Sequence, residues 1–577
     1  MIGLIAVTAA GRTAAARLAV SWPAETRTYQ GPAAQSVAEA WAECDGLVCF
    51  LAAGAVIRLV APLLDSKHTD PAVVCVDEAA RFAVALVGGH TGGANNLAAR
   101  VAAVLQAEPV ITTASDAAGL PGLDDLGWPA EGAVATVTRA LLDGGQVTLV
   151  SDETWPLPPL PVTRVRHSVA EGSVAEESAA GKDAATAGLA GYRILVTDRV
   201  VPGDPRTVVL RPPSLVVGVG ASKNVSHAEV LGLIDTTLAE AGLSPSSVTA
   251  LATVDAKAAE PGLVAAARQR GWPLLTYPAA RLAAVPVPNP GQAALAAVGT
   301  PSVAEAAALV SADALAVQKR KSPMATVAIG RVRPVGRLAV IGLGPGARDL
   351  LAPRAVAELR RASVVIGLGQ YVDQIHDVLR PGTEVLASDL GAEEERAKAA
   401  VTRAGEGHAV ALVGSGDAGV YAMASPALLQ AGADIEVVVV PGITAGLAAA
   451  ALLGAPLGHD HAVISLSDLH TPWEVIERRV RAAAEADYVT VFYNPRSRGR
   501  HWQLGTALAV LAAHRPPGTP AAIVRNASRP GQRVLLTTVA ELDPEAADML
   551  SLVIVGASTT QAVAGRMVTP RGYAWQP

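Results

Sequence analysis

Three apolar runs in this sequence pass directly into glycine and then into a helical pattern. They span Ile2 to Gly11, Leu215 to Gly220 and Leu338 to Gly346. A buried strand that turns at glycine into a helix opens an α/β domain, in which strands alternating with helices form parallel sheets wrapped by helices. The sequence therefore predicts a multidomain α/β protein.

The length agrees with several domains. At about 150 residues per domain, 577 residues correspond to roughly four units. A polar segment of small residues between 171 and 191 is expected to be a linker, and a basic cluster at 319–321 marks a further boundary. We expect four segments: 1–130, a weakly patterned 131–210 that includes the linker, 211–330, and 337–577.

Composition excludes several classes of protein. Hydrophobic residues make up 51% of the chain and charged residues 17%, so wholesale disorder is excluded. The net charge is −6 without a dominant basic block, and we expect no nucleic-acid partner. The three cysteines, Cys44, Cys49 and Cys75, have no disulfide-framework or metal-site spacing. We expect a reducing compartment and no resident metal.

The longest uncharged stretch, Val437 to Gly458, is long enough to suggest a membrane span. Pro441-Gly442 and Gly454-Ala-Pro456 interrupt it, and such turn residues are poorly satisfied in lipid. A valine strand, a tight turn and a short alanine-rich helix are favoured instead. The N-terminus has no basic leader, so a soluble, cytoplasmic protein is expected.

The sequence AVIGLGPG at Ala339 to Gly346 suggests a dinucleotide site, since glycines after a strand let the backbone approach a ligand closely. Three details disfavour a nicotinamide or flavin site. Ala347 stands where the last glycine is required, Pro345 removes one N–H donor, and the second strand ends at Leu368 without the acid that binds a ribose.

Six ordered motifs in the last segment favour another function. They are GLGPG (342–346), GSGDAGVYAMAS (414–425), PGITA (441–445), SDLHTPW (467–473), YNPRSRGR (493–500) and RNASRPGQ (525–532). Together they resemble the S-adenosylmethionine-dependent tetrapyrrole methylases, most closely the precorrin-3B (or cobalt-factor III) C17-methyltransferases. The resemblance covers nearly all of 337–577 and implies a two-lobed methylase fold, methylation with ring contraction, and a homodimer formed through this domain.

The resemblance also implies which residues bind S-adenosylmethionine. The expected cofactor-binding residues are Gly342, Gly344, Pro345, Gly346, Gly416, Asp417, Val420, Tyr421, Thr444, Ala445, Asn526 and Ala527. Asp417 could accept hydrogen bonds from polar groups of the cofactor, but it could equally be a helix N-cap.

Five arginines in two loops are candidates for the carboxylates of a tetrapyrrole precursor, because guanidinium pairs well with carboxylate. They are Arg496, Arg498, Arg500, Arg525 and Arg529. Polar type and loop placement also make Asp468, His470 and Tyr493 candidates for proton handling. A set of ordinary surface arginines and a satisfied polar histidine are the alternatives.

Residues 51–116 and 215–330 closely resemble the CbiG family of cobalamin biosynthesis, the cobalt-precorrin-5A hydrolases, on GGHTGGANN (88–96), VITTASD (110–116) and VPNP (287–290). The family opens a lactone and releases acetaldehyde. Such a reaction requires a general base and donors for the oxyanion. We expect His90 to be the base or proton shuttle, although it could instead cap the helix that begins near Ala94. Further candidates are Asp77 and Glu78 for catalysis, and Arg58, Lys67 and Asn95 for substrate binding.

The leading hypothesis is therefore a bifunctional corrin-pathway enzyme with a tetrapyrrole substrate. A second hypothesis makes the first half a non-catalytic module that holds the tetrapyrrole for the methyltransferase. A dinucleotide oxidoreductase is the third.

Overall fold

The structure is a computed structural model that describes residues 1–66, 69–90, 92–166 and 191–572. Lys67 and the expected linker from 171 to 190 lie outside the described residues. The chain divides into two compact units. One comprises Met1–Thr154, Leu160–Pro334 and Arg380–Gly382, and the other comprises Trp155–Pro159, Val335–Leu379 and Thr383–Pro577.

The first unit begins with a six-stranded sheet in the order β2-β1-β3-β4-β5-β6. Its strands are β1 (Ile2–Ala6), β2 (Thr26–Tyr29), β3 (Gly46–Phe50), β4 (Ala72–Val76), β5 (Phe82–Val87) and β6 (Glu108–Val110). Its helices are α1 (Ala9–Ser21), α2 (Ala33–Glu43), α3 (Ala53–Val60), α4 (Ala94–Leu105) and α5 (Ala114–Ala117), with a 3₁₀ turn at Ala61–Leu63. β3 and β4 are fully buried runs, because helices pack on both faces of the sheet.

A second sheet follows in the order β7-β11-β10-β8-β9. Its strands are β7 (Ala130–Gly132), β8 (Val147–Ser151), β9 (Thr163–Arg166), β10 (Tyr192–Val196) and β11 (Thr207–Leu210), with helix α6 at Val134–Leu142. The sequence shows only weak patterning here, because these strands have three to five residues each, too few to establish a clear period.

The third sheet of this unit has the order β14-β13-β12-β16-β15. Its strands are β12 (Leu215–Ala221), β13 (Val248–Val254), β14 (Leu274–Tyr277), β15 (Ala314–Lys321) and β16 (Ala325–Arg331). Its helices are α7 (His227–Glu240), α8 (Pro261–Arg270), α9 (Ala279–Ala283), α10 (Gln292–Val298) and α11 (Val303–Val310), with 3₁₀ turns at Pro245–Ser247 and Asp255–Lys257.

The second unit has two lobes. The first lobe is a parallel sheet in the order β19-β18-β20-β17-β21. Its strands are β17 (Gly336–Gly342), β18 (Val364–Leu368), β19 (Glu384–Ser388), β20 (Ala409–Gly414) and β21 (Ile435–Val440). Its helices are α12 (Pro353–Arg361), α13 (Gly369–Val372), α14 (Glu393–Gly405) and α15 (Ala424–Gln430), with 3₁₀ turns at Arg348–Leu350 and Asp373–Ile375. Helix α16 (Ala445–Leu453) follows β21 and packs against the second lobe.

The second lobe is built on a sheet in the order β23-β24-β27-β25-β26. Its strands are β23 (His461–Ser465), β24 (Val489–Tyr493), β25 (Pro520–Arg525), β26 (Arg533–Thr538) and β27 (Ser551–Val555). A small sheet comprises β22 (Gly454–Ala455), β28 (Gln561–Val563) and β29 (Arg566–Val568). The helices of this lobe are α17 (Trp473–Glu485) and α18 (Gln503–Ala512), with a 3₁₀ turn at Pro544–Ala546.

The expected multidomain α/β class is confirmed, but the expectation of parallel sheets is wrong in several of them. β5 runs antiparallel to β4, β7 to β11, and β16 to both β12 and β15. In the second lobe each neighbouring pair in the order β24-β27-β25-β26 is antiparallel, as is the pair β28–β29. Five residues join β4 to β5, too few for a helical crossover, so the chain forms a hairpin.

The uncharged stretch from Val437 to Gly458 forms the end of strand β21, a turn and helix α16, as expected from its Pro-Gly interruption. Among the described residues, no helix combines the length and the apolar character that a membrane crossing requires.

Candidate functional site

The second unit has a crevice where three neighbouring parallel strands end. Gly342 of β17 is in register with Gly414 of β20, and Ile341 with Val440 of β21. Parallel strands end at the same edge of a sheet, which is where α/β folds bind ligands. The GLGPG, GSGD and PGIT motifs therefore meet at one edge.

Two of these loops are joined to each other by their backbones. The Gly344 N–H donates to the Gly416 carbonyl at 3.0 Å, and the Gly416 N–H donates back at 2.7 Å. Both glycines have positive φ, +74° and +68°, a conformation that residues with a Cβ rarely adopt. Glycine is needed at both positions because the two loops come into close contact there.

Gly342 also has a packing role, because a Cβ there would lie 2.6 Å from the Gly416 oxygen and 2.8 Å from the Gly442 nitrogen. Gly414 is different. A Cβ at that position would make only an ordinary contact, with the Ala422 Cβ at 4.0 Å, so a small group fits beside this strand end. The two glycines therefore do different things: Gly342 lets three loops converge, and Gly414 leaves room beside them.

Asp417 connects the second and third loops. Its Oδ1 accepts a hydrogen bond from the Gly419 N–H at 2.8 Å, and its Oδ2 accepts one from the Gly442 N–H at 3.0 Å. The alternative of a helix N-cap is wrong, because helix α15 begins only at Ala424 with Met423 at its N-cap position. The carboxylate holds the Pro-Gly turn of the third loop beside the second.

Tyr493 organises the second-lobe side of the crevice. Its hydroxyl hydrogen-bonds Thr444 Oγ1 and accepts a hydrogen bond from the Gly446 N–H at 2.6 Å. Its ring lies 5.4 Å from the ring of Tyr421. Burial raises the pKa of Tyr421, whose hydroxyl donates to the Val463 carbonyl at 3.0 Å, so this phenol stays protonated near neutral pH. Tyr421, Thr444 and Tyr493 are brought together as one cluster.

Arg529 connects the loop after β25 to the first lobe. Its Nε donates to the Pro345 carbonyl, and its Nη2 donates to Ser415 Oγ at 2.6 Å. Its guanidinium carbon lies 5.9 Å from the centre of the Tyr371 ring. Arg529, which is predicted to bind substrate carboxylates, fixes two of the loops that form the crevice.

Three other candidate arginines also have partners within the second lobe. Arg496 pairs with Glu545, and Arg525 pairs with Asp548 at 2.7 Å. Arg500 is buried and donates to the Asn494 carbonyl at 2.8 Å and to Ser467 Oγ at 3.2 Å. Burial lowers the pKa of Arg500. Arg498 is exposed and is the candidate left available for a substrate carboxylate.

The remaining candidates of this unit lie around the crevice loops in less constrained positions. Asp468 is exposed and accepts a hydrogen bond from Gln503 at 2.8 Å, and His470 is exposed two residues later. Asn526 has a positive φ of +51° in the turn after β25, next to the buried Ala527. Val420 and Ala445 are half-buried in the second and third loops.

In the first unit, the candidates from the hairpin are separated. Asp77 follows β4 and lies at the turn, where it accepts hydrogen bonds at 2.7 Å from the N–H groups of Arg81 and Phe82. His90 follows β5, whose end pairs with the beginning of β4. Asp77 and Glu78 therefore lie at the opposite edge of the sheet from His90. Glu78 accepts a hydrogen bond from Thr8 at 3.1 Å.

The pKa of Asp77 is lowered. Burial acts to raise it, but the N–H donors of Phe82 and Arg81 outweigh that effect. Asp77 thus stabilises the β4–β5 turn as a carboxylate.

His90 lies in a polar cluster where β5 and β6 both end. Its Nε2 is 2.7 Å from Ser115 Oγ and 3.3 Å from Asp116 Oδ2. Its Nδ1 is buried without a hydrogen-bond partner among the described residues, and Asp125 Oδ2 lies 3.9 Å from it. The alternative that His90 caps a helix is wrong, because Gly93 is the N-cap residue of α4.

Asn95 joins this cluster rather than an exposed binding surface. It is 7% exposed and donates from Nδ2 to Thr113 Oγ1 at 3.0 Å and to Asp116 Oδ2 at 3.1 Å. Arg58 lies elsewhere, exposed on helix α3 and donating to the Gly54 carbonyl. The glycine loop after β5 also borders an open cavity of about 400 Å³ lined by Gly92, Gly93 and Asn96.

Sequence reasoning missed four polar residues of the two sites. Thr113, Ser115 and Asp116 lie in VITTASD, a motif that resembles the CbiG family but has no predicted role, and Ser415 lies inside the GSGD motif. The available signal was position, since each follows a strand that ends at the site edge. No group of three or more potential metal ligands is found among the residues that the structure describes.

Comparison with known proteins matches four parts of the chain to family models. Residues 35–116, 124–212 and 215–330 match Cobalamin synthesis G N-terminal, Cobalamin biosynthesis central region and Cobalamin synthesis G C-terminus. Residues 337–543 match Tetrapyrrole (Corrin/Porphyrin) Methylases. CbiG regions thus precede a methylase region in one chain.

Individual relatives cover the methylase region. A probable cobalt-factor III C(17)-methyltransferase of Salmonella typhimurium is 47% identical over 239 residues, 41% of this chain and 99% of the relative. A precorrin-3B C(17)-methyltransferase of Sinorhizobium sp is 42% identical over 250 residues, 41% of this chain and 98% of that protein. The crystal structure of the methyltransferase CobJ is 41% identical and covers 41% of this chain and 100% of that chain, with a TM-score of 0.39.

The crevice loops all lie within the matched methylase region, and the relatives that match it are covered almost end to end. The chain therefore belongs to the tetrapyrrole (corrin/porphyrin) methylase family.

Proposed function

We propose that this chain is a bifunctional enzyme of cobalamin biosynthesis. Segment 337–577 methylates C17 of precorrin-3B or cobalt-factor III and contracts the ring, and segments 1–130, 131–210 and 211–330 together open the lactone of cobalt-precorrin-5A and release acetaldehyde. The observation that carries the methyltransferase assignment is the meeting of three motif loops at one sheet edge, in a region that relatives named C17-methyltransferases match over nearly their whole length.

The residues of the crevice fit S-adenosylmethionine. Gly414 has room for a small group beside the strand end, and the half-exposed Tyr421 ring and Thr444 supply an apolar face and a polar group on the second and third loops. When bound, S-adenosylmethionine supplies an electrophilic methyl group on a sulfonium. The chain's own contribution is positioning, because methyl transfer requires mainly that donor and acceptor carbon be held in line.

Several residues would hold the crevice in shape for that task. Asp417 fixes the Pro-Gly turn, Tyr493 fixes Thr444 and the start of helix α16, and Arg529 fixes the loops at Pro345 and Ser415. Asp468, His470 and Tyr493 are the proposed groups for proton handling during ring contraction. Arg498 is the proposed contact for a substrate carboxylate, since a guanidinium pairs well with such groups.

Equilibrium binding tests this part of the proposal. Isothermal titration calorimetry of the full chain with S-adenosylmethionine is expected to show one site per chain, and NAD is expected to give no heat. Heat with NAD but none with S-adenosylmethionine would contradict the assignment and favour an oxidoreductase.

The hydrolase assignment depends on the His90 cluster. Lactone hydrolysis needs a group that accepts a proton from water, and His90 is the proposed base or proton shuttle. The CbiG family regions at 35–116, 124–212 and 215–330 support it, because they span the part of the chain that holds this cluster.

A non-catalytic tetrapyrrole-holding module is the alternative for the same half. The buried Nδ1 of His90, which has no hydrogen-bond partner among the described residues, favours the catalytic hypothesis, since a purely structural histidine is normally satisfied at both ring nitrogens. The full chain incubated with cobalt-precorrin-5A is expected to release acetaldehyde. Tight binding of the lactone without acetaldehyde would favour the module.

We also propose a homodimer formed through the methylase region. Strand β21 is an edge strand, and exposed apolar side chains lie on it and on the helices that precede and follow it in the sequence: Leu428, Leu429, Val439 and Leu447. Exposed apolar groups beside an unpaired strand edge are typical of an interaction surface.

A further inference from the structure

The cluster around His90 contains a second acid–base group, the carboxylate of Asp116. Asp116 stands in helix α5, directly after the loop that follows β6, whereas His90 stands in the glycine loop after β5. β5 and β6 are parallel neighbours, so both loops leave the same edge of the sheet. Two acid–base groups from different parts of the chain thus meet where the strands end.

Two hydrogen-bond donors and the His90 ring converge on one oxygen of this carboxylate. Asn95 Nδ2 donates to Oδ2 at 3.1 Å, Thr113 Oγ1 donates to the same oxygen, and His90 Nε2 lies 3.3 Å from it. Among the described residues, no hydrogen bond to Oδ1 is found. The carboxylate is therefore oriented through Oδ2, and Oδ1 is left to accept a proton.

Burial separates the roles of the two groups. The side chain of His90 is 14% exposed, and that of Asp116 is 38% exposed. Ser115, whose Oγ lies 2.7 Å from the same His90 Nε2, is 4% exposed. Asp116 is the more accessible group. His90 is enclosed by Ser115, Asp116 and Asp125, and a Cβ added at Gly122 would lie 3.0 Å from the His90 ring.

We propose that Asp116 is the general base of the lactone-opening site, and that His90, Asn95 and Thr113 are positioning residues that orient its carboxylate. The inference rests on the proposed hydrolase function and adds the catalytic group to it. Asp116 thereby takes the place of His90 as the base of the proposed hydrolase, and His90 acts through Asp116 rather than on water directly.

The step balances with water as the co-reactant. A water oxygen forms a bond to the lactone carbonyl carbon while its proton passes to Asp116 Oδ1. The ring C–O bond then breaks, and the proton on Asp116 passes to the departing alkoxide. The products are a carboxylic acid and an alcohol, and Asp116 returns to its ionised form.

Substitution of the full chain tests this assignment, with the lactone substrate cobalt-precorrin-5A and two readouts. The first is the mass gain of one water in the ring-opened alcohol, and the second is the acetaldehyde released when a later C–C cleavage converts that alcohol into the aldehyde. Asp116→Asn is expected to reduce kcat about 100-fold or more, the usual contribution of a general base. Asp116→Ala is expected to regain activity when formate is added, because formate supplies the missing carboxylate. Asp143→Asn, an exposed helix-end carboxylate in the same unit, is the matched control and is expected to retain full activity.

The positioning roles of Thr113 and His90 are tested by separate variants. Thr113→Val removes one donor to Oδ2 and is expected to lower kcat while KM stays unchanged. His90→Gln keeps a donor near Oδ2 and is expected to retain more activity than His90→Ala. A merely structural role would lower the melting temperature without this difference between kcat and KM.

The outcomes distinguish the role of Asp116 from the hydrolase function itself. An active wild-type chain whose Asp116→Asn variant keeps the wild-type rate overturns the role of Asp116 and leaves the hydrolase function standing. A natively folded wild-type chain that does not open the lactone overturns the hydrolase function and the inference together. If Asp116→Asn fails to fold, an unchanged kcat in Thr113→Val overturns the assignment.

Discussion

At the scale of single residues, the polar side chains of the methylase crevice mostly contact the backbone of neighbouring loops. Asp417 accepts two N–H groups, Tyr493 accepts the Gly446 N–H, and Arg529 donates to the Pro345 carbonyl. These hydrogen bonds fix the positions of the loops, and the loops in turn determine where a ligand is held. The residues that define the site are therefore largely positioning residues.

Tyr493→Phe tests this view. The variant removes the acceptor for the Gly446 N–H and the partner of Thr444. Leaving a partly buried N–H without a partner is expected to cost about 1 to 2 kcal/mol of unfolding free energy. Because Thr444 also loses its anchor, the dissociation constant for S-adenosylmethionine is expected to rise.

Urea denaturation and calorimetry on the same variant measure the two effects. Tyr488→Phe, whose ring is 40% exposed, is the matched control and is expected to change neither quantity. An unchanged dissociation constant in Tyr493→Phe, together with the loss of stability, would limit Tyr493 to a structural role.

At the scale of elements, the crevice depends on how closely three strand ends approach. A Cβ at Gly342 would lie within 2.9 Å of backbone atoms of three residues, Gly416, Gly442 and Ala418, so the loops must move apart to accept it. Gly342→Ala is expected to destabilise the second unit by about 2 to 3 kcal/mol and to abolish methyl transfer. Gly369→Ala is the control, since a Cβ there meets nothing within 4 Å. Thermal melting and a methyl-transfer assay distinguish the two variants, and a fully active Gly342→Ala would contradict the crevice geometry.

A second element-scale prediction concerns pH. Glu305 of helix α11 is fully buried, and it accepts hydrogen bonds from Asn289 Nδ2 at 2.7 Å and from the Lys319 N–H at 3.1 Å. Burial acts to raise the pKa of Glu305, but these donors and the Asn289 N–H lower it overall. A carboxyl whose pKa is lower in the folded state stabilises the fold above its unfolded pKa, and that stabilisation is lost as the pH falls through the folded value.

Glu305→Gln is therefore expected to reduce the unfolding free energy most above pH 4.5, the ordinary value for glutamate, and progressively less below it. Urea denaturation at neutral pH and at several pH values under 4.5 measures this difference. Glu240→Gln, at the exposed end of helix α7, is the control. A difference between Glu305→Gln and wild type that stays constant across this range would be inconsistent with the proposed linkage.

The sequence predicted strands better than contacts. The three glycine-ended runs all begin sheets or lobes, because a buried strand has a local signature. Ser302 and Glu305 have the spacing of a capping box, and Ser302 is the N-cap residue, but its side chain makes no cap hydrogen bond. The Glu305 carboxylate binds Asn289 and Lys319 instead of the Ser302 N–H, so the reciprocal half of the box is also missing. That partner choice depends on distant strands, which spacing along the chain does not encode.

The candidate site shows the same limit. Asp77 and His90 are close in sequence but lie at opposite edges, because β4 and β5 form a hairpin. Asp116 lies beside His90 only because β6 pairs with β5. The guanidiniums of Arg496 and Arg525 are paired with acids in the 545–548 segment, which no local pattern connects to them.

At the scale of the whole molecule, the chain combines CbiG regions with a methylase region that has exposed apolar side chains on strand β21 and on its two flanking helices. Leu429 is 85% exposed, and Leu447 is 53% exposed. Burying such side chains against a second copy would stabilise a dimer, since each fully buried leucine contributes about 1.5 to 3 kcal/mol.

The double variant Leu429→Lys, Leu447→Lys is expected to convert a dimer into a monomer in size-exclusion chromatography with light scattering. Val20→Lys is the matched control, because Val20 is similarly exposed, at 82%, on helix α1 of the other unit. A wild-type chain that is monomeric at micromolar concentration would contradict the proposed homodimer.

The methyltransferase assignment is tested most directly by product mass spectrometry. The full chain is incubated with cobalt-factor III, or with precorrin-3B, and S-adenosylmethionine carrying a deuterated methyl group. The proposed function predicts a product that gains one labelled methyl group and shows the altered absorption of a contracted ring. Recovery of unmethylated substrate from natively folded protein that binds both compounds would contradict it.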